Sequence, residues 1–424
     1  MHDYRDDLTL LRDRRFALLL AARTVSMLAS SFAPVALAFG VLDLPGATPS
    51  TLSTVLAAEA VPLVVFMLAG GVIADRYPRH RVLMTGELFS AAAFSLLATM
   101  LLRGGAPVWA LCGAAALSGV AMAVVWPALT GIIPDVVAPT RLQSANALIG
   151  LGSNAARVTG LVASGAVVVF VGAGWALVGS AVMFAVAGAL VALLRLDRSH
   201  LADRSSSVIS DLRDGWREFS SRSWLWVVVV QFSVMVMALQ AAHGVLGPVV
   251  AKQELGGAGA WSVVLAGEAA GMIVGVLVAV RLRPRRPILV ATLFTFPATL
   301  PYLLLGASAP LWSVVLAAFA MGVCFDIFGV LWQTSLQREV PPEALSRVSS
   351  YDALGSLMLG PIGLLIAGPA AVAFGAHPAL LGCAAIMTLT TALALLSRGV
   401  RDMRPRPESP GPDTTPPAPA EVIA

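Results

Sequence analysis

Twelve apolar stretches of about 20 residues run along the chain, separated by short segments rich in Gly, Pro and charge. Each is long enough to cross a bilayer as a helix. Their approximate limits are 16–40, 51–74, 82–102, 107–132, 143–170, 174–195, 224–250, 260–280, 287–306, 311–335, 350–374 and 378–397. The ninth is interrupted by Pro297 and Pro301, and the eleventh is rich in Gly and Pro. This pattern predicts an all-α polytopic membrane protein.

Composition agrees. Of 424 residues, 58% are hydrophobic and 12% charged, and the mean hydropathy is +0.83. Soluble domains carry roughly a quarter charged residues, so a soluble multidomain enzyme, a disordered scaffold and a nucleic-acid-binding protein are all excluded. Lipid is the expected surroundings. Cys112, Cys324 and Cys383 lie inside apolar runs and read as small buried residues, so neither a disulfide frame nor a metal or cofactor site is expected.

The charges are few and sorted. Of the 28 basic residues, 24 fall in the terminal segments or in loops on the same side as the termini. Arg103 and Lys252 lie on the other side, while Arg23 and Arg157 fall within spans. The positive-inside rule then places both termini in the cytoplasm, and that parity requires an even number of spans. Met1 to Arg15 mixes acidic and basic residues, so no cleavable signal peptide is expected. The expected location is the cell's inner (plasma) membrane, multi-pass. The net charge of +4 thus describes topology and implies no acidic partner.

The spans divide six and six about the polar segment Leu196 to Arg222. Within it, Trp216 and Phe219 of 211–219 suit either an interfacial helix with both rings toward lipid or a solvated linker helix. The halves resemble one another. Trp126, Arg141, Ser144 and Asn146 line up with Trp332, Arg347, Ser350 and Asp352, and Glu59 lines up with Glu268. Duplicated six-span halves place a substrate path between them, near the midplane. The expected architecture is two pseudo-symmetric six-helix bundles, residues 1–195 and 223–400, joined by a cytoplasmic linker 196–222. A Pro-rich, disordered tail, 401–424, is expected to follow.

The loop Gly71-Val-Ile-Ala-Asp75-Arg76-Tyr-Pro-Arg79-His-Arg81 resembles the G-x-x-x-D-R-x-x-R-[RK] signature of the major facilitator superfamily, with Arg81 one place late. The segments from Ile133 to Leu148 and from Gln337 to Asp352 resemble the branch that includes the enterobactin exporter and macrolide efflux proteins. The resemblance implies export of a drug, antibiotic or siderophore-like metabolite by alternating access, driven by proton exchange. It also implies that Gly71, Asp75, Arg76, Arg79 and Arg81 latch the cytoplasmic side shut; the alternative is a cluster that merely holds positive charge inside. Two departures touch the proton part. The fifth-span signature reads Gly160 to Gly165 without its proline, and the fourth span has no arginine.

An ionisable side chain within a span costs roughly 3 kcal/mol at the helix centre unless it faces a cavity or a partner. Glu59 and Glu268 fall near the midplane, roughly 14 Å below the outer end of their spans, and Asp326 lies roughly 18 Å from Arg338. An acid in a poorly hydrated cavity can load and release a proton as access alternates, so Glu59, Glu268 and Asp326 are candidate coupling residues. The competing reading is a fixed ion pair, such as Glu59 with Arg23 or Arg157. Those two arginines are read as partners of the acids or ligands of an anionic substrate group. Glu87 and Asp352 are expected near span ends, pairing with loop arginines or capping helices. His243, in the outer half of span seven, is read as a hydrogen-bonded packing residue, with a group that titrates close to neutral pH as the alternative. Gln231, Gln240, Asn154, Phe232 and Met235 are candidate substrate contacts, since amide, Met and aromatic surfaces suit an adaptable pocket.

The reading that follows is a secondary exporter of a small amphipathic molecule, coupled to protons and acting as a monomer. Uptake or facilitated diffusion of a metabolite, or a transport-dead sensor, are the alternatives. A membrane-embedded enzyme would need a catalytic cluster, and neither H-E-x-x-H, G-x-S-x-G nor a P-loop occurs.

Overall fold

The computed structural model describes residues 9–138, 141–194 and 216–404. Twelve helices in it are long and apolar enough to cross a membrane. The first bundle comprises α1 (Arg14–Leu42), α2 (Pro49–Arg76), α3 (Arg79–Leu102), α4 (Val108–Gly131), α5 (Leu142–Phe170) and α6 (Ala173–Ala192). The second comprises α7 (Ser223–Leu255), α8 (Ala258–Ala279), α9 (Pro287–Gly306), α10 (Leu311–Glu339), α11 (Arg347–Phe374) and α12 (Ala376–Leu396). No strand occurs among the described residues.

Local sequence accounts for the ends and breaks. Asp13 accepts the Arg15 N–H at 2.8 Å and caps α1. Thr48 and Thr51 form a capping box at the start of α2, with Pro49 at its first turn. In α9, Pro297 and Pro301 remove backbone donors, so the span runs as two short α-helices joined through a 3₁₀ turn at Phe296–Thr299. Helix α7 continues beyond the expected end at 250 because π turns, Ala241–Leu246 and Ala251–Leu255, carry it to the glycines that open α8.

Helix crossings repeat between the bundles. Where α4 passes α2, any side chain at Gly119 would collide with the backbone carbonyl of Glu59; where α10 passes α8, the same holds of Gly322 and the carbonyl of Glu268. Gly267, Gly271 and Gly275 sit against the carbonyls of Val315, Phe319 and Val323, so the small-residue face of α8 is its contact with α10. The turns into α6 and α12 match as well. Gly172 has φ 110° and Gly375 φ 88°, both in the left-handed region that a glycine tolerates.

The bundles meet along α2–α11 and α5–α8. The Ser53 hydroxyl of α2 donates to the Leu364 carbonyl of α11 and accepts the Gly368 N–H at 3.1 Å. On α5, Gly165 lies against Ser262 of α8. At the face opposite the termini, the Lys252 ammonium holds Asp43 at 2.6 Å and the Leu42 carbonyl at 2.5 Å. Buried apolar side chains from both bundles merge into one core there. Toward the face that carries the termini, the described core divides. Phe16, Leu83, Ile132 and Ile149 belong to one cluster, and Leu225, Ile288, Phe328 and Val348 to another. The described core therefore closes the molecule at one face and separates into two at the other.

Of the linker 196–222, only its last residues, 216–222, lie in the described set. Phe219 does not face lipid. It is 6% exposed and packs into the second bundle, with Trp216 stacked on it and Tyr351 tilted against it. The aromatic contact outcompetes the bilayer interface because three rings meet there. Residues 405–424 lie outside the described set, while Arg398–Asp402 forms a short helix that buries Val400. Cys383 is buried, whereas Cys112 and Cys324 are half-buried; all three are free thiols.

Candidate functional site

A cavity of about 260 Å³ lies where the bundles meet, lined by Met27, Ser30, Ser31 and Pro34 of α1, Arg157 and Leu161 of α5, His243 of α7, and Leu265 and Glu268 of α8. Three elements bring its charges together. The glycine crossing with α10 fixes Glu268 on α8. The π turn Ala241–Leu246 carries His243, and the adjacent Gly247 lets α7 close on the Trp261 ring. Such one-turn widenings of a helix recur at functional sites. The imidazole edge rests on Trp261 at 5.7 Å between ring centroids.

His243 Nδ1 lies 2.8 Å from the Tyr302 hydroxyl and 3.7 Å from Glu268 Oε2. With its proton on Nε2 the imidazole accepts the phenol proton at Nδ1; with Nδ1 protonated it donates there, to Tyr302 or to the carboxylate. Arg157 shares the cavity from the opposite bundle, and no carboxylate stands within 4 Å of it among the described residues. Asp326 of α10 lies against α8 at Gly275 and within Coulombic reach of Arg157. One guanidinium of the first bundle thus faces two carboxylates and a histidine of the second. His243 is hydrogen-bonded and packed as expected, and it also lines the cavity beside Glu268. Tyr302, 1% exposed, was not legible as part of the site.

The first bundle keeps its own acids apart from this cavity. Glu59 pairs with neither Arg23 nor Arg157; it accepts the Ser118 hydroxyl at 3.0 Å. Glu87 is no span-end residue. It is 2% exposed inside the bundle, accepts the Ser26 hydroxyl at 2.7 Å and lies within Coulombic reach of Arg23. Glu87 Oε2 and Arg23 Nε have no hydrogen-bond partner among the described residues. Two turns of α3 separate Glu87 from Arg79, a spacing that already places it at roughly 12 Å depth. Asp352 likewise pairs with no loop arginine among the described residues; it accepts the Trp332 indole N–H at 3.0 Å.

The other candidates scatter. Gln231 is 4% exposed and donates to Thr391 at 3.2 Å and Thr295 at 3.4 Å, and Met235 is fully buried, so both face the interior of the second bundle. Gln240 lies beside Gly360 of α11. Asn154 is exposed on α5, three residues before Arg157 and therefore on the same side of the helix. Phe232 lines a second cavity inside the second bundle. Of the loop motif, Arg79 is half-buried and Arg81 exposed at the start of α3, whereas the side chains of Gly71, Asp75 and Arg76 lie outside the described set.

Comparison with known proteins places this geometry. Macrolide efflux protein A of Streptococcus pyogenes is 23% identical over 364 residues, 83% of this chain and 88% of that protein. A mutant form of the nucleoside transporter NupG superposes with a TM-score of 0.75 at 11% identity, over 90% of this chain and 99% of that one. A bacterial homologue of the human lysosomal transporter Spinster, in an inward-facing and unoccupied conformation, gives 0.71 at 17% identity, over 93% and 99%. The model of the Major Facilitator Superfamily matches residues 16–359. Twelve helices in two six-helix bundles, a duplicated crossing pattern and that match agree: the chain belongs to the major facilitator superfamily.

Proposed function

We propose that this transporter exports a small amphipathic molecule (a drug, antibiotic or siderophore-like metabolite) in exchange for protons, by alternating access. The observation that carries the reading is the cavity in which Glu268, His243 and Tyr302 of one bundle face Arg157 of the other. When the bundles rock, the distance between Arg157 and Glu268 changes. Whether Arg157 stands near Glu268 or is drawn toward Asp326 then couples the position of the bundles to proton exchange at this cavity. Loading and release thus alternate with access. The likeness to a macrolide efflux protein supports outward transport. The bias of arginines toward the terminal face supports cytoplasmic termini and a plasma-membrane location, with the cleft loading from inside. In this reading the bundles, 1–195 and 223–400, move about the linker 196–222, and the motif of Gly71, Asp75, Arg76, Arg79 and Arg81 latches them. Both bundles of a single chain contribute to the cavity, in keeping with a working monomer.

Uptake of a dye panel into everted vesicles, energised by a proton gradient, tests this. Glu268→Gln is expected to abolish gradient-driven accumulation while leaving downhill exchange, and Asp326→Asn and Glu59→Gln to reduce it. Undiminished coupling in all three variants would overturn the proton assignment. A wild type that moves nothing outward under any gradient would favour uptake or sensing instead.

A further inference from the structure

A second cavity, of about 240 Å³, lies inside the second bundle between α7, α10 and α11. Its wall is aromatic. Phe232 stacks on Phe328 at 5.1 Å with 6° between the rings, and Phe328 on Trp332 at 6.2 Å with 10°. Phe325 closes the series, edge-on to Phe232 at 6.2 Å. Phe325 neighbours Asp326, so the rings run for about 10 Å along α10, from beside the inter-bundle charges toward the terminal face.

Asp352 lies at the end of this series and on the wall of the cavity. Its Oδ2 accepts the Trp332 indole N–H at 3.0 Å and its Oδ1 the Ser356 hydroxyl at 3.4 Å, which fixes the carboxylate in orientation. Among the described residues, no Arg, Lys or His stands within 4 Å of it. The fold does not demand this charge. The repeat puts Asn146 at the matching position of the first bundle, where its amide bonds the Leu142 carbonyl of its own helix at 2.8 Å. Asp352 is half-buried, and so stays reachable.

A carboxylate without a counter-ion, set against a wall of rings, suits an organic cation. The ammonium supplies the missing charge, and the alkyl or aryl groups around it lie on the aromatic faces. The volume falls below the roughly 300–1,000 Å³ of a complete small-molecule site, so the cavity holds the charged end of a molecule rather than the whole of it. We propose that this cavity is a recognition site for alkylated ammonium groups, with Asp352 as its counter-ion and Phe232, Phe328 and Trp332 as its wall. The site is separate from the cavity between the bundles. It names a cationic substrate class for the export reading and rests on that reading only for what happens after binding.

The test is equilibrium binding of benzyltrimethylammonium to the purified full chain in detergent, without any gradient, with benzoate as the anionic control. Wild-type protein is expected to bind the cation and not benzoate. Asp352→Asn is expected to weaken binding at least tenfold, and Glu268→Gln and Asp326→Asn to leave it within twofold. A second measurement needs no variant: the cation is expected to slow carbodiimide modification of Asp352 in wild-type protein, read by mass spectrometry, and not that of Glu268. The proposal is overturned if wild type binds no cation at millimolar concentration. It is overturned equally if Asp352→Asn binds as wild type does, if Glu268→Gln abolishes binding, or if Asp352 is modified at the same rate with the cation present. Binding that survives while vesicle transport fails would sink the export reading and keep this site.

Discussion

Glu59 and Glu268 stand at equivalent helix crossings, each with its carbonyl against a glycine, yet their side chains meet different company. Glu59 takes a hydroxyl from its own bundle, and Glu268 a histidine at the boundary with the other. The two surroundings predict different consequences of losing a neighbour. Tyr302→Phe removes the 2.8 Å contact to His243 and frees Nδ1 for Glu268. It is expected to cost about 1 kcal/mol of stability and to displace the pH profile of transport. Ser118→Ala should cost a similar amount and leave that profile in place. Thermal unfolding in detergent and vesicle transport across a pH series read the two effects separately. Charges within apolar spans are conspicuous, which is why Glu268, Arg157 and Asp326 were legible as candidates. Their neighbours were not. A Tyr or a Gln gives no sign of which side of its helix meets another helix, so neither the place of Tyr302 in the site nor the burial of Gln231 and Met235 within the second bundle is legible in the sequence.

Helix by helix, the pattern of apolar stretches located all twelve spans to within a few residues, because a bilayer demands about 20 apolar positions whatever their order. The exceptions have identifiable causes. The π turns of α7 lengthened it past its expected end, and no residue type announces a π turn. Close packing between helices rests on glycines that look alike in the sequence and differ in three dimensions. On α10, Gly322 abuts the Glu268 backbone, while Gly329 has nothing within 4 Å of where a methyl group would stand. Gly322→Ala is therefore expected to force α8 and α10 apart and cost 2 kcal/mol or more, roughly the scale of overpacking. Gly329→Ala should be neutral or stabilise by up to about 1 kcal/mol, the usual preference for alanine within a helix. Unfolding temperatures of the two variants, measured side by side in one detergent, make the comparison.

At the scale of the molecule, the bundles close at one face through a shared apolar core and the meeting of α2 with α11. Gly368 of α11 allows its helix to meet the backbone of α2 at Ser50, next to the Ser53 bonds. Gly368→Leu is expected to wedge that face open and to slow transport more than tenfold. A Ser31→Cys reporter in the cavity lining, on a background without the three native cysteines, should then react faster with an impermeant maleimide from the face opposite the termini. Unchanged labelling would mean that Gly368 does not govern closure. None of this meeting of bundles could be read from the chain, since it joins positions some 300 residues apart through backbone atoms. The repeat of Glu59 in Glu268 showed only that two similar halves exist. Lys252 is the chain's single lysine, and its ammonium is occupied by Asp43 and the Leu42 carbonyl in the closed arrangement. The protein therefore contains one lysine amine for acylating reagents to find, at the seam where the proposed alternation opens the far side. Its reactivity amounts to a native clock hand, marking how much of each transport cycle that seam spends unfastened.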